Sequence, residues 1–424
     1  MNTAAPQTAE DMLLLAQDLD HQGHSQEAAL WVQRSADLGH IVAQTQLGLW
    51  MIKGRNLPTD SRMGFSLIEN SAKGGDALAG HLLVNLYASG TACQQSWDKA
   101  TSWLIRLAKA GNAAACLTVG ALLRPLPRLI PLRHSLYARA AHAGSPAAQY
   151  LLGAELCQLQ EGPAHKLGLG WIVRAAEAGS RLAGHRLERF AGLPMIRPGA
   201  DEPGPRIPWQ DLKRLLLLPH NAPLPRLTLQ HIAPRIWSAA GFLPRHLCDY
   251  MIATGEHLLT PATVNDARAG EIVDASRSNS FANFRLLEAD LVSLSIDAHI
   301  SNALEHPFGH GDPLSLLQYE VGQTYAPHYD FFDSAFPAHR PSLDSAGQRT
   351  RTALIYLNED YDGGATRFHE AGIDYRGKSG DLIAFANINA AGEPDHMSLH
   401  SGEPPTRGTK WILSKWTREA YLPL

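Results

Sequence analysis

The sequence predicts a multidomain α + β chain: an N-terminal α-solenoid of helix hairpins, then an antiparallel β domain with flanking helices. Three observations carry this. A small-residue signature recurs about every 35 residues through the first half. A proline-dense stretch follows it. After Pro234, short apolar runs of strand length alternate with Gly, Asp and Asn. With 424 residues, the chain is long enough for each half to bury its own core.

The repeats come first. The frame A-x-x-G stands at Ala36/Gly39, Ala72/Gly75, Ala108/Gly111, Ala141/Gly144 and Ala176/Gly179. Four residues after each glycine is another alanine: Ala43, Ala79, Ala115, Ala148 and Ala183. Five residues before each leading alanine is a large apolar side chain: Trp31, Leu67, Trp103, Leu136 and Trp171. The bulky residue and the first alanine share one face of a helix, and the glycine ends it in a left-handed turn. The later alanines let a second helix approach closely. Leu47-Gly48, Val119-Gly120 and Leu152-Gly153 read as the ends of second helices. One such hairpin cannot cover its own apolar face, so the units must stack. The pattern resembles the Sel-like repeats, relatives of tetratricopeptide repeats, over residues 10–190. That resemblance implies an extended groove for a protein or peptide; a plain folded spacer is the alternative. The recurring tryptophans are expected as core packing.

Residues 191–233 read as a linker. Pro194, Pro198, Pro203, Pro205, Pro208, Pro219, Pro223 and Pro225 forbid a long helix and favour an extended tether. One short helix over Trp209 to Leu218 is expected to interrupt it and dock on a neighbour.

Residues 234–420 are expected to form the β domain. Strands are expected at Ser315–Tyr319, Arg351–Leu357, Asp381–Ala386 and Trp411–Trp416, with helices near Pro244–Leu259 and Glu288–Leu304. Within it, His328 and Asp330 are two apart, so an extended backbone aims both side chains the same way. An imidazole and a carboxylate make two-thirds of a 2-His-1-carboxylate iron site. His400 and His396 are the candidates for the missing histidine.

A lysine, Lys410, lies ten residues after His400 and opens Lys410-Trp411, with Lys415-Trp416 behind it. Here the chain resembles the prolyl 4-hydroxylase branch of the Fe(II)/2-oxoglutarate dioxygenases. Further matches are Arg277-Ser278-Asn279-Ser280, Gln348-Arg349 ahead of Tyr356-Leu357-Asn358, and Gly363-Gly364-Ala365-Thr366. The resemblance implies a double-stranded β-helix (jelly-roll). It implies Fe(II) on His328, Asp330 and His400, with His396 beside the site, and O2 and ascorbate as further participants. It implies 2-oxoglutarate anchored by Lys410, with Tyr319 and Thr366 alongside. It sets Tyr325, Arg349 and Trp416 near the substrate. The implied reaction hydroxylates a prolyl residue of a protein or peptide and releases succinate and CO2. Halogenating relatives replace the carboxylate ligand by a small residue; Asp330 is present, which favours hydroxylation. The alternatives are hydroxylation of another peptide residue or a small molecule, and a repeat scaffold with an inert oxygenase domain. The other histidines, His369 among them, are expected to be structural.

Charge and composition narrow the partners. The net charge of −4 gives no global attraction to nucleic acid or to an anionic membrane. The longest purely aliphatic run, Leu215 to Leu218, is far too short to span a bilayer. The first twenty residues lack Lys and Arg and carry Glu10, Asp11 and Asp18, unlike a secretory leader. Cys93, Cys116, Cys157 and Cys248 form no C-x-x-C pair, which fits a reducing, cytoplasmic setting.

Overall fold

The computed structural model describes residues 7–159, 162–190, 192–199, 206–266, 270–272 and 274–423. Pro203 and Pro205 of the expected linker lie outside the described residues. The chain divides into two compact units, Met1–Ala115 and Cys116–Leu424. The division falls inside the repeats rather than in the proline-dense stretch.

The first unit is helical: Ala9–His21, Ser25–Asp37, Ile41–Lys53, Ser61–Lys73, Ala77–Ser89 and Trp97–Lys109. Side chains start most of these helices. Asp60, Asp76 and Ser96 each accept a bond from a backbone N–H of the first turn, and Thr8 forms a capping box with Asp11. The repeat glycines Gly39, Gly75 and Gly111 sit at φ of 85°, 102° and 94°, just past the ends of their helices. The second alanines are packed away as expected; Ala43 and Ala79 are fully buried. Gly48 does not end a helix, contrary to the sequence reading. It lies inside Ile41–Lys53, where an added Cβ would come within 2.6 Å of Gly64 O on the next helix. The reciprocal clash, at Gly64 against Gly48 O, would be 2.5 Å. The two backbones cross in contact, and only glycine leaves the room. Trp31 and Leu67 are half-buried and pack against this unit's core, and Trp103 is half-buried; the Arg34 and Arg106 guanidiniums lie 4.7 Å and 4.8 Å over the two tryptophan rings.

The second unit contains the later repeat helices Ile130–His142, Pro146–Leu156, Pro163–Glu177 and Arg181–Leu187 together with the β domain. Here Leu136 and Trp171 are buried as the repeat pattern requires. Gly153 and Gly168 repeat the close backbone crossing, so Gly153 does not close its helix either. Gly120 likewise lies inside Ala113–Leu122, against the ring of Tyr137.

The β domain has two main antiparallel sheets, beside two short two-stranded pairs, Asp362–Gly363 with Pro405–Arg407 and Val264–Asp266 with Gly270–Ile272. The larger runs, edge to edge, through Thr228–Ile232, Arg235–Ala239, Leu382–Ala386, Arg349–Tyr356, Lys410–Arg418, Ser315–Tyr319, Ser280–Asn283 and Thr260–Pro261. The smaller runs through Ile373–Tyr375, Thr366–Phe368, His400–Gly402 and Tyr325–His328. Leu317, Tyr356, Ile383, Phe385 and Ile412 from the first pack with Phe368 from the second in one core. This is the double-stranded β-helix. The expected helices appear as Arg245–Gly255 and Leu291–Ala303, the latter started by a capping box of Asp290 and Ser293.

The proline-dense stretch is not a free tether. Its expected helix shrinks to Leu212–Leu215. Leu122 O accepts from Leu217 N (2.7 Å), and Leu215 O accepts from Arg124 N (3.0 Å). Leu212 and Leu216 are fully buried, each stabilising the docked path by about 1.5–3 kcal/mol. A leucine-rich run folds down where prolines alone would leave it solvated. The β domain also grips the late repeats directly. Glu256, buried, accepts from Ser180 Oγ (2.6 Å) and Leu182 N (3.1 Å), so a carboxylate faces the N-terminus of Arg181–Leu187. His246 Nε2 donates to Ala121 O (3.1 Å), and Tyr250 Oη bonds both Thr118 Oγ1 and Asp290. All four cysteines are free thiols. Among the described residues, no helix is long and apolar enough to cross a membrane.

Candidate active site

Two strands of the smaller sheet bring the histidines together. His328 and His400 are direct cross-strand partners, and their ring centroids are 4.3 Å apart. The strand ends at His328, and Asp330 sits on a bend two residues on. Its carboxylate still returns to the imidazoles: Oδ1 is 3.6 Å from His328 Nε2 and Oδ2 is 3.6 Å from His400 Nε2. That is too long for a good hydrogen bond and suits three donors around one ion. Among the described residues this is the cluster of His, Cys, Asp or Glu side chains able to hold a metal.

The backbone fixes which nitrogens face inward. His328 Nδ1 donates to Ala326 O (2.8 Å) and His400 Nδ1 donates to Ser398 O (3.0 Å). Each Nε2 is thereby left with a free lone pair toward Asp330, the tautomer a metal ligand needs. Thr352 Oγ1 donates to Asp330 Oδ2 (2.6 Å), and Asn387 Nδ2 donates to Thr352 Oγ1 (2.9 Å). The Asn387 bond occupies the hydroxyl oxygen, so the Thr352 proton goes to the carboxylate. Burial alone would push the Asp330 carboxyl up; the His400 and His328 imidazoles and Arg349 overcome it and hold it well below the usual range. Burial, with His328 nearby, pushes His400 down to about 4 against the pull of Asp330. The site therefore presents two imidazoles with Nε2 facing inward and one carboxylate, the donor set of a facial non-haem iron centre.

The triad opens into a cavity of about 410 Å³ whose wall also carries Tyr319, Tyr325, Thr366, Lys410 and Trp416. Lys410 and Tyr319 are cross-strand partners in the larger sheet, and the Lys410 ammonium lies 4.9 Å over the Tyr319 ring. Lys410 is 1% exposed and forms no ion pair with a described residue. Burial pushes it down to about 7, with Glu403 pulling the other way. Thr366 Oγ1 pairs with Tyr356 Oη (2.7 Å). Gly402, opposite Tyr325, leaves space that a Cβ would close to 3.1 Å from Tyr319 Oη. Three buried polar atoms on wall residues have no partner among the described residues: Arg277 Nε, Ser414 Oγ and Trp416 Nε1. A buried lysine without an ion pair, on the same wall as two imidazoles and a carboxylate, fits an anionic co-substrate together with the metal.

Most of the expected site residues meet here. Tyr325 stacks on the His328 ring at 3.4 Å with an interplanar angle of 15°. Arg349 does not line the cavity. Asp312 clamps it (2.7 Å), its guanidinium lies 4.4 Å over Trp416, and Nη1 donates to Asp330 O (3.4 Å). His396 is outside the metal cluster; it packs edge-on against Tyr329 and Phe331. His369 pairs with Ser401 Oγ (2.9 Å), a structural role. Sequence reasoning missed Arg277, Thr352, Asn387 and Ser414 as site residues. Only Arg277 carried a signal, within Arg277-Ser278-Asn279-Ser280.

The fold and site define a class, which comparison with known proteins bears out. The model of the 2OG-Fe(II) oxygenase superfamily matches residues 314–418. A probable prolyl 4-hydroxylase 3 of Arabidopsis thaliana is 30% identical over 202 residues, 43% of this chain and 69% of the relative. The chain belongs to the prolyl 4-hydroxylase family of 2OG-Fe(II) oxygenases. Among solved structures, a viral collagen prolyl hydroxylase from Paramecium Bursaria Chlorella virus-1, as its 2OG complex, is 23% identical. It aligns with 43% of this chain and 95% of its own, at a TM-score of 0.33. A Sel1 repeat protein from Oxalobacter formigenes is 23% identical, over 39% of this chain and 50% of its own, at a TM-score of 0.36.

Proposed function

We propose that this protein hydroxylates a prolyl residue of a protein or peptide, using Fe(II), O2 and 2-oxoglutarate and releasing succinate and CO2. The observation that carries the reading is the Lys410 ammonium: buried, without an ion pair, and on the same cavity wall as His328, Asp330 and His400. In this reading Nε2 of both histidines and the Asp330 carboxylate hold the metal. Lys410 pairs with the far carboxylate of 2-oxoglutarate, while Tyr319 Oη and Thr366 shape its slot. When bound, iron and 2-oxoglutarate supply the oxidative decarboxylation that drives C–H hydroxylation. The chain's own contribution is position. Thr352 and Asn387 fix the carboxylate, and the Tyr325 ring shields one face of His328 from water. Tyr325 and Trp416 wall the space left for a substrate ring, and Arg349 keeps Trp416 in place from behind. Ascorbate would serve as reductant for iron oxidised without substrate.

The same proposal assigns the repeats, residues 10–190, to choosing the protein substrate, since stacked helix pairs offer extended surfaces. Nucleic acid and membrane are not proposed as partners. A cytoplasmic location accords with four free thiols. The test is incubation of the full chain with Fe(II), 2-oxoglutarate, ascorbate and a proline-containing peptide. Succinate should form together with a one-oxygen mass gain on proline. Succinate with the gain on another residue type would overturn the prolyl assignment.

A further inference from the structure

The smaller sheet carries His328 and His400, but its edge strand stops at His328, and Tyr329 to Phe332 belong to no strand. Thr352 Oγ1 holds the Asp330 carboxylate at its tip. The backbone behind that carboxylate needs a support of its own, and Gln348 supplies it. Gln348 Oε1 accepts from Phe332 N (2.7 Å), and Nε2 donates to Phe332 O (2.6 Å). That is the pair of bonds an antiparallel strand neighbour would make. Oε1 also accepts from Arg349 N (2.8 Å), so two N–H groups fix which end of the carboxamide is oxygen. Gln348 is in turn gripped by Glu419: its N donates to Glu419 Oε2 (2.7 Å), and its O accepts from Glu419 N (3.2 Å). Gly347, at φ 73°, leaves room for this, since a Cβ there would run into the Glu419 carboxylate.

The Phe332 ring is held as well. The Arg349 and Arg418 guanidiniums lie 4.7 Å and 4.9 Å over it, and Asp312 pairs with both, at 2.7 Å and 2.8 Å. Neither Gln348 nor Phe332 lines the triad cavity, so neither is placed to touch a substrate or co-substrate. What they reach is Asp330, two rigid peptide planes away along the chain. We propose that Gln348 is a positioning residue of the metal centre: its carboxamide stands in for a missing strand, fixes the Phe332 backbone, and thereby sets where the Asp330 carboxylate meets the two imidazoles. The inference rests on the triad being the metal site, and it extends that site's support to a residue outside the cavity.

Titration of the full chain with cobalt(II), whose visible spectrum reports ligand geometry, tests this at pH 8. Gln348→Met keeps the length of the side chain and removes both bonds to Phe332. It should bind cobalt about ten- to hundredfold more weakly in a chelator competition, with an altered visible spectrum. Gln348→Glu keeps an acceptor for Phe332 N but sets an oxygen against Phe332 O. It should act in the same direction, and it serves where Gln348→Met loses the wild-type circular dichroism spectrum. Combined with Thr352→Val, the loss should fall short of the product of the two single losses, because both residues hold one carboxylate. Leu294→Ala, a buried truncation in Leu291–Ala303, should lower the melting temperature yet leave cobalt affinity and spectrum unchanged. The proposal is overturned by wild-type cobalt affinity and spectrum in Gln348→Met, by losses that multiply with Thr352→Val, by the same cobalt defect in Leu294→Ala, or by loss of the folded spectrum in both Gln348 variants. Wild-type protein that binds no cobalt, or binding untouched by His400→Ala, would instead refute the metal site itself and this inference with it.

Discussion

Replacing Lys410 with methionine separates co-substrate anchoring from folding, because the two should respond in opposite directions. The ammonium is 1% exposed, and its pKa is lowered to about 7 by burial. A lysine whose folded pKa lies below its unfolded value makes the folded state bind fewer protons between about pH 7 and about pH 10.5. The penalty for burying the charge is therefore full below about pH 7 and fades as pH rises through that window. Lys410→Met removes it, so the ligand-free variant should melt higher than wild type at pH 6, with the difference shrinking toward pH 9. The gain corresponds to a few kcal/mol at pH 6. Co-substrate binding should move the other way. Leaving the far carboxylate of 2-oxoglutarate buried without its cation costs about 3–5 kcal/mol, a loss of roughly two to three and a half orders of magnitude in affinity. Calorimetry in two buffers of different ionisation enthalpy adds a signature. Above about pH 7 wild type should take up a proton on binding 2-oxoglutarate, and the variant should not. Metal affinity should be nearly unchanged. A variant that binds 2-oxoglutarate normally, or one that is destabilised at pH 6, would refute the reasoning.

Other perturbations probe the supports of the same site. Thr352→Val removes the 2.6 Å bond to Asp330 and should weaken Fe(II) binding about ten- to hundredfold in a metal-competition titration, with little change in 2-oxoglutarate affinity measured on a redox-inert metal. His400→Ala should abolish stable metal binding, whereas His396→Ala should leave it intact, since His396 only packs on Tyr329 and Phe331. A chain beginning at Cys116 should fold and bind 2-oxoglutarate like the whole protein. One beginning at Leu227 should aggregate or melt much lower, because it loses Thr118, Ala121 and Ser180, the partners of Tyr250, His246 and Glu256. Sedimentation and thermal melts distinguish the two.

Local features were legible in the sequence, and features made by distant strands were not. The repeat glycines announced their left-handed turns because φ is a local property; Gly39, Gly75 and Gly111 adopt them. Ser315–Tyr319 forms a strand with the bounds its apolar run gives. Gly48 and Gly153 misled because a helix-ending glycine and a helix-crossing glycine look alike until the neighbouring helix is in place. The pairing of His328 with Asp330 followed from spacing, while the choice of His400 over His396 came from the lysine ten residues on. Thr352 and Asn387 were invisible: Thr352 bonds an Asp330 far from it in the chain, and Asn387 bonds Thr352 only because Arg349–Tyr356 and Leu382–Ala386 are neighbours in the larger sheet. In the connecting stretch the docking of the leucine run was legible, and it pairs with Leu122 and Arg124, but its helix is shorter than expected, Leu212–Leu215.

The most direct test of the account follows the oxygen atoms. The full chain is supplied with Fe(II), 2-oxoglutarate, a proline-containing peptide and isotopically heavy O2, and both products are weighed by mass spectrometry. The account predicts one heavy atom in succinate and one on the hydroxylated prolyl residue, with both signals lost in Asp330→Asn. Hydroxylation that draws its oxygen from water, or labelled products that persist in Asp330→Asn, would contradict it.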